Sequence, residues 1–402
     1  MINQYFIKKR VNKIFFKFVT LILLLTSFQF FFLQNVKAVY DPLSKKNNFF
    51  GIHILFLEEA EKASKFVNSN GGDWGYVTVP IQAGDRDIEK WQKFMDDARD
   101  LHIIPIVRLA TEPYYKNTSV WRKPNEYDII DFANFLNSLS WPVKNKYILV
   151  FNEVNRFDEW GGEVPNPNEY LHILNFTTDT FKRRSDDFFI IMAGLDNAAP
   201  SDGLRYMQEF EYLNKLAEIN PEVFNKIDGF ASHSYPNPGF SQPPSLSKMG
   251  VSTYRYEYEF INKFTQNKKP VFITEAGWSS DSISESDVSS YYKYTFENIW
   301  GKDKDKIVAI TPFLLESQDG QFDKFSFYKR GSKTEYLKTL ESLPKIKGEP
   351  ITNVVKTPKK IPDKSVLGVK NFNQDLDQED VYGEITSDFI RLYFKTIFGL
   401  NY

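Results

Sequence analysis

Two glutamates in this chain stand where a proton donor and a nucleophile could face each other across one bond. The run Ile148-Leu149-Val150-Phe151 leads into Asn152-Glu153, and the run Val271-Phe272-Ile273-Thr274 leads into Glu275. A carboxyl placed directly after an apolar run sits where a buried strand opens onto solvent. Two such carboxyls can divide the cleavage of an acetal. One protonates the departing oxygen and the other attacks the carbon from the opposite face, with net retention of configuration. Among 52 acidic residues either glutamate alone reads as a structural group or a cap, so the joint placement carries the signal. Other chemistries lack their parts. There is no cysteine for a thiolate nucleophile, four scattered histidines supply no His-x-His cluster, and no metal or cofactor is expected. A formal charge of −2 gives nucleic acid no electrostatic reason to bind.

The elements that must position the two carboxyls follow from hydrophobic periodicity. Phe49–Phe56 reads as a first strand and Glu58–Ser69 as its helix. The same alternation continues with Trp74–Ile81 and Ile88–Leu101, Ile103–Leu109 and Tyr127–Ser140, then Tyr147–Phe151 and Asn168–Arg184. It goes on through Phe188–Leu195 and Leu204–Ile219, Gly229–His233 and Tyr254–Gln266, Val271–Thr274 and Asp287–Trp300, and Ile307–Leu315 and Thr334–Leu343, with Thr334 as a cap. Eight strand-then-helix units, with strands apolar on both faces, predict an α/β fold of the (β/α)₈ TIM-barrel type over residues 39–343. A doubly wound open sheet fits less well, because no glycine-rich phosphate turn follows the first strand. None of the strand runs contains a lysine for Schiff-base chemistry.

The flanks read differently. Residues 1–38 combine Lys8, Lys9, Arg10 and Lys13 with the apolar stretch Phe18–Leu33 and then Val36-Lys37-Ala38. That is the pattern of a cleaved signal peptide or a retained membrane anchor, and export follows from either. Residues 344–402 begin with Pro344, Pro350, Pro358 and Pro362 among lysines, which reads as a linker. Phe389, Ile390, Tyr393, Phe394, Ile397 and Phe398 then recur at helical spacing between Ser387 and Gly399.

With both strand ends in view, the chain resembles glycoside hydrolase clan A, the retaining (β/α)₈-barrel glycosidases. Asn152-Glu153 after strand four is similar to the clan's acid/base motif, and Thr274-Glu275-Ala276-Gly277-Trp278 after strand seven to its nucleophile motif in families 5, 17, 39 and 53. The resemblance implies Glu153 as acid/base, Glu275 as nucleophile and Asn152 as a contact to the 2-hydroxyl of a β-linked glycan. It also implies that Tyr235 and His233, at the end of strand six, lie near Glu275. Tyr235 would help keep Glu275 ionised, leaving the proton on Glu153. Arg108 after strand three either aligns Glu275 or pairs with a loop acid, and His53 after strand one either touches sugar or packs in the core. Tyr114, Tyr115, Trp121, Trp160 and Trp278 are candidate stacking platforms for sugar rings. Two features depart from the clan pattern. Strand eight carries no tryptophan, so Phe313 or Phe322 takes its place, and strand two ends in Gln82 with Arg86 beyond it. The expectation is an exported, monomeric, retaining glycosidase, with a non-catalytic carbohydrate-binding barrel as the alternative.

Overall fold

The computed structural model describes residues 39–353 apart from 318, 319 and 321, so the predicted export segment and the helix at 387–399 lie outside the described residues. Eight parallel strands follow one another round a single sheet in chain order. They are β1 (Gly51–His53), β2 (Gly75–Gln82), β3 (Ile103–Ala110), β4 (Lys146–Val150), β5 (Phe188–Met192), β6 (Gly229–His233), β7 (Val271–Glu275) and β8 (Ile307–Ile310). Phe50 bridges Ile310 in parallel, and Ile310 N–H donates to the Phe49 carbonyl at 2.8 Å, which joins β8 back to β1. Gly51 makes that seam possible. A Cβ there would lie 2.6 Å from Thr311 Cγ2 and 2.9 Å from the Ile310 carbonyl.

Helices α1 (Ala60–Val67), α2 (Ile88–Asp100), α3 (Glu126–Ser138), α4 (Pro167–Arg184), α5 (Glu209–Ile219), α6 (Thr253–Ile261), α7 (Glu285–Asn298) and α8 (Glu335–Ser342) alternate with the strands. Several begin on a side-chain cap, among them Asp87, Asn125, Asn166, Ser284 and Thr334, each accepting a backbone N–H of the first turn. Side chains alternate across each strand. One set (Val77, Val79, Ile148, Val150, Ile190, Ile273) packs outward with the helices in one core. The other set (Tyr76, Ile104, Ile106, Tyr147, Phe189, Phe272) fills the interior. Within that plug, the Tyr147, Phe189 and Phe272 rings meet at centroid distances of 5.1–5.6 Å. The period of two carries the inner face on from Ile104 and Ile106 to Arg108, and from Ala231 to His233. The interior therefore turns polar toward the strand C-termini.

The structure differs from the sequence reading at several boundaries. Strand eight ends at Ile310 rather than Leu315, where Pro312 can donate no ladder hydrogen bond. Helix α5 starts at Glu209 rather than Leu204, because Asp202 draws the N–H groups of Leu204, Arg205 and Tyr206 into a turn of their own. The loop after β3 carries a small hairpin, Pro113–Tyr114 with Asn117–Trp121. The chain also does not leave the barrel at Leu343. Gly348 N–H bonds the Asp73 carbonyl, Asn353 Nδ2 bonds Trp141 and Val143 carbonyls, and Lys345 is buried with its ammonium on Ser69 Oγ and the Leu340 carbonyl. Residues 344–353 thus belong to the barrel and lie at the end where strands begin. No helix among the described residues is long and apolar enough to cross a membrane.

Candidate active site

Glu153 reaches the barrel mouth through a contorted backbone. Phe151 and Glu153 have φ of 69° and 34°, the left-handed region that side chains other than glycine avoid. The turn is held by Glu153 N–H on the Gly194 carbonyl at 3.0 Å and by Arg156 N–H on the Glu153 carbonyl at 2.9 Å. Such conformations cost about 1–3 kcal/mol each and persist where surrounding structure enforces them, often at functional sites. Glu275 needs no such device. It is the last residue of β7, in register with His233 of β6, and its carbonyl accepts Ser234 N–H at 3.0 Å. One carboxylate oxygen of each glutamate and one ring nitrogen of His233 lie within 4.8 Å of one another.

The neighbours of Glu275 are those the sequence pointed to. Tyr235 O–H donates to Glu275 Oε2 at 3.0 Å, and Arg108 Nη1 stands 3.5 Å from Oε1. His53 is buried with Nδ1 3.8 Å from the same Oε1, so it lies at the site and within the core at once. Burial, with the nearby Arg108 charge, holds its ring well below the ordinary histidine range, so it is neutral. Phe313 lies edge-on to His53 at 5.2 Å and packs with Tyr235, Leu314 and Phe325. It lies in the loop that follows β8.

His233 departs from the expected arrangement. Its Nδ1 is 3.8 Å from Glu275 Oε2 but only 2.9 Å from Glu153 Oε1. Burial alone would lower the His233 pKa; the charge of Glu275 and the hydrogen bond to Glu153 outweigh it and raise the pKa. Burial would likewise raise the Glu153 pKa, but the hydrogen bond and charge of His233, with Arg156 and Arg108, hold that carboxyl below its ordinary value. Both shifts favour His233 over Glu153 as the holder of the shared proton. The sequence reading had put it on Glu153.

Three partners were not visible in the sequence. Arg156 places Nη1 3.3 Å from Glu153 Oε2 and 3.1 Å from Asp196 Oδ2, while its Nη2 meets Asp158 Oδ2 at 2.7 Å. Gly194 lies flat against the His233 ring; a Cβ there would fall 2.3 Å from Cδ2 and 2.6 Å from Nε2. Glu159 accepts a hydrogen bond from Asn152 Nδ2 at 3.0 Å. Arg156, three residues after Glu153, was the most findable of these, since a turn returns such a residue to the same place. The others depend on contacts between separate loops.

Two predicted sugar platforms are corrected. Trp160 and Trp278 are each 1% exposed and belong to the helix-side core. Trp160 donates from Nε1 to Glu169 Oε2, and Trp278 donates to the Gln242 carbonyl while packing on Tyr292 at 4.8 Å. Loop position exposed neither ring, because each found an apolar bed and one acceptor for its N–H. Tyr115, 79% exposed on the hairpin turn beside Tyr114, keeps a free face. Arg86 pairs with Asp131 at 2.6 Å and stacks on Phe132, a structural role away from the pair. The Glu153, His233 and Glu275 atoms are close enough to share a cation. Arg108 and Arg156 already supply positive charge to both carboxylates, which disfavours a metal there.

No protein-family model matches the chain, and no curated protein matches it. Solved structures do. A family 39 glycoside hydrolase from the gut symbiont Bacteroides cellulosilyticus WH2 superposes with a TM-score of 0.53 at 14% identity, over 75% of this chain and 64% of its own. An endo-β-1,4-glucanase from Xanthomonas axonopodis pv. citri gives 0.50 at 12% identity, over 73% of this chain and 98% of its own. A glucosidase from Croceicoccus marinus gives 0.52 at 8%, over 74% and 66%. The shared property is the fold. This chain thus spans under two thirds of the first of these proteins.

Proposed function

We propose that this protein is a retaining glycoside hydrolase that cleaves β-glycosidic bonds of an oligo- or polysaccharide, with Glu275 as nucleophile and Glu153 as acid/base. The observation that carries this reading is that one oxygen of Glu153 and one of Glu275 come within 4.8 Å of each other at the mouth, an approach that a closely spaced carboxyl pair allows. Retention calls for carboxyl groups about 5–5.5 Å apart, and inversion for a wider gap of roughly 6.5–9.5 Å that admits a water. The barrel fold shared with glycosidases supports the same reading.

In the first step Glu275 attacks the anomeric carbon, aligned by Tyr235 and Arg108, and the bond to the leaving oxygen breaks. That oxygen takes from Glu153 the proton that His233 Nδ1 passes to it across the 2.9 Å hydrogen bond, which leaves Glu153 a carboxylate and His233 neutral. In the second step Glu153 removes a proton from water, the water oxygen attacks the anomeric carbon, and the bond to Glu275 breaks. Asn152, Phe313 and the Tyr114–Tyr115 hairpin complete the proposed sugar contacts, while the fully enclosed His53 backs Glu275 from within the core. Export through residues 1–38 and action as a monomer belong to the same proposal and rest on the sequence.

The test is product release from a panel of β-linked oligosaccharides and aryl β-glycosides, with proton NMR of the first-formed anomer. The expected product keeps the starting configuration. Glu275→Gln should lower turnover on the order of 10⁴-fold, and azide should restore part of the rate of Glu153→Ala on an activated aryl glycoside. Inverted product would remove Glu275 as nucleophile. Glycan binding by calorimetry without any turnover would replace the enzyme by a carbohydrate-binding barrel.

A further inference from the structure

The loop after Glu153 brings a third carboxyl close by, and it grips Asn152, the residue before Glu153. Glu159 Oε1 accepts the hydrogen bond from Asn152 Nδ2 at 3.0 Å. On the same amide, Asn152 Oδ1 is buried with no protein partner among the described residues. An asparagine amide has two N–H donors and one carbonyl acceptor. With the carbonyl covered and one N–H committed to Glu159, a single N–H is left to give. Turning the amide over would set its oxygen against the Glu159 carboxylate, acceptor against acceptor, so Glu159 decides which end of Asn152 is offered.

What that N–H would meet is given by the resemblance to clan A, which implies a contact from Asn152 to the 2-hydroxyl. A sugar whose anomeric carbon lies between Glu153 and Glu275 has its neighbouring ring hydroxyl beside them. Hydrogen bonds to that hydroxyl are among those that strengthen in the transition state. We propose that Glu159 is a positioning residue, which holds Asn152 by its amide nitrogen so that the remaining N–H donates to the 2-hydroxyl of the reacting sugar. The inference rests on the glycosidase reading above.

The environment of Glu159 supports this role. Burial pushes its carboxyl up to about 7; Arg108 from β3 opposes this, Glu153 adds to it, and Arg156 lowers it. The carboxylate form can only accept and so fixes the Asn152 amide, whereas the protonated form can also donate and relaxes that hold as pH falls below about 7. Glutamine at this position would also retain an acceptor, without the titration.

The test compares kcat/KM for 4-nitrophenyl β-glucoside and β-xyloside with that for their 2-deoxy counterparts. It uses the wild type, Glu159→Leu, Glu159→Gln, Asn152→Ala and the Glu159→Leu/Asn152→Ala double variant. The wild type should prefer the 2-hydroxy substrates. Glu159→Leu and Asn152→Ala should each narrow that preference about tenfold, mostly through kcat, and the double variant should narrow it no further. Glu159→Gln should restore it. A merely structural role for Glu159 predicts that both members of each pair slow equally and the ratio stays; that result overturns the proposal, as does full additivity in the double variant. The two readings fail differently. A wild type inactive on these and on the glycan panel removes the glycosidase reading and this inference together, whereas an active wild type with an unchanged ratio in Glu159→Leu removes only the inference.

Discussion

Two pairs of glutamates adjoin strand β6 of this barrel, and the fold treats them in opposite ways. Glu153 and Glu275 at the mouth are surrounded by Arg108, Arg156 and a His233 whose pKa is raised. Glu209 at the start of α5 and Glu257 on α6 are equally enclosed, at 0% and 2% exposure, but have hydroxyls for company. Thr253 Oγ1 stands 3.3 Å from Glu209 Oε2, and Ser232 bonds Glu257. Burial, with the charge of Glu257, raises the Glu209 carboxyl well above its ordinary value; burial raises Glu257 also. A carboxyl taken out of water either finds a cation or keeps its proton. The first pair stands beside cations, while burial tilts the second toward its protonated form, as a packing group. Strand β6 serves both. Its alternation sends Ser232 outward to Glu257 and His233 inward to Glu153, so adjacent residues of one strand belong to two electrostatic regimes.

The strongest way to break the contrast is to disturb the inner side of β6 alone. Gly194→Ala forces a Cβ against the His233 ring, which must shift and loosen its bond to Glu153. The expected cost is about 1–3 kcal/mol of stability and roughly 10–100-fold in kcat, read by thermal unfolding and steady-state kinetics. Unchanged kinetics in a folded variant would remove His233 as the holder of the proton.

A smaller effect should come from removing one cation. Arg156→Gln takes away a charge 3.3 Å from Glu153, so the Glu153 carboxyl should titrate higher. As the Glu153–His233 pair must carry its proton to act, the basic limb of the kcat/KM profile should move to higher pH. A limb that stays in place, or moves down, contradicts the assignment of Glu153 as acid.

The second pair offers the smallest change, one of stability only. Both folded carboxyls titrate above the unfolded value of about 4.3. Their contribution is therefore complete below that pH and is lost as pH rises through the folded values. The wild-type melting temperature should fall between pH 5 and pH 9, and Glu257→Gln, which keeps a neutral group there, should fall less. Its kcat should stay within about twofold of wild type at all these pH values. Equal slopes for the two proteins would show that the pair is not ionising in that range.

Much of this molecule could be read from the order of its residues. Runs such as Phe188–Met192 and Gly229–His233, and caps such as Thr334 before α8, are local signals, because strand and helix periods are properties of neighbouring positions. Glu153, Glu275, Tyr235 and Arg108 could be named because a barrel brings strand ends to one mouth wherever they lie in the chain. The tertiary structure alone decided the rest. Trp160 and Trp278 became core, Arg156 and Glu159 joined the site, and the surroundings came to favour a proton on His233 over Glu153. Those outcomes depend on burial and on the summed charge of groups from several loops. Distance between remote residues sets both, and no local pattern in the chain encodes it.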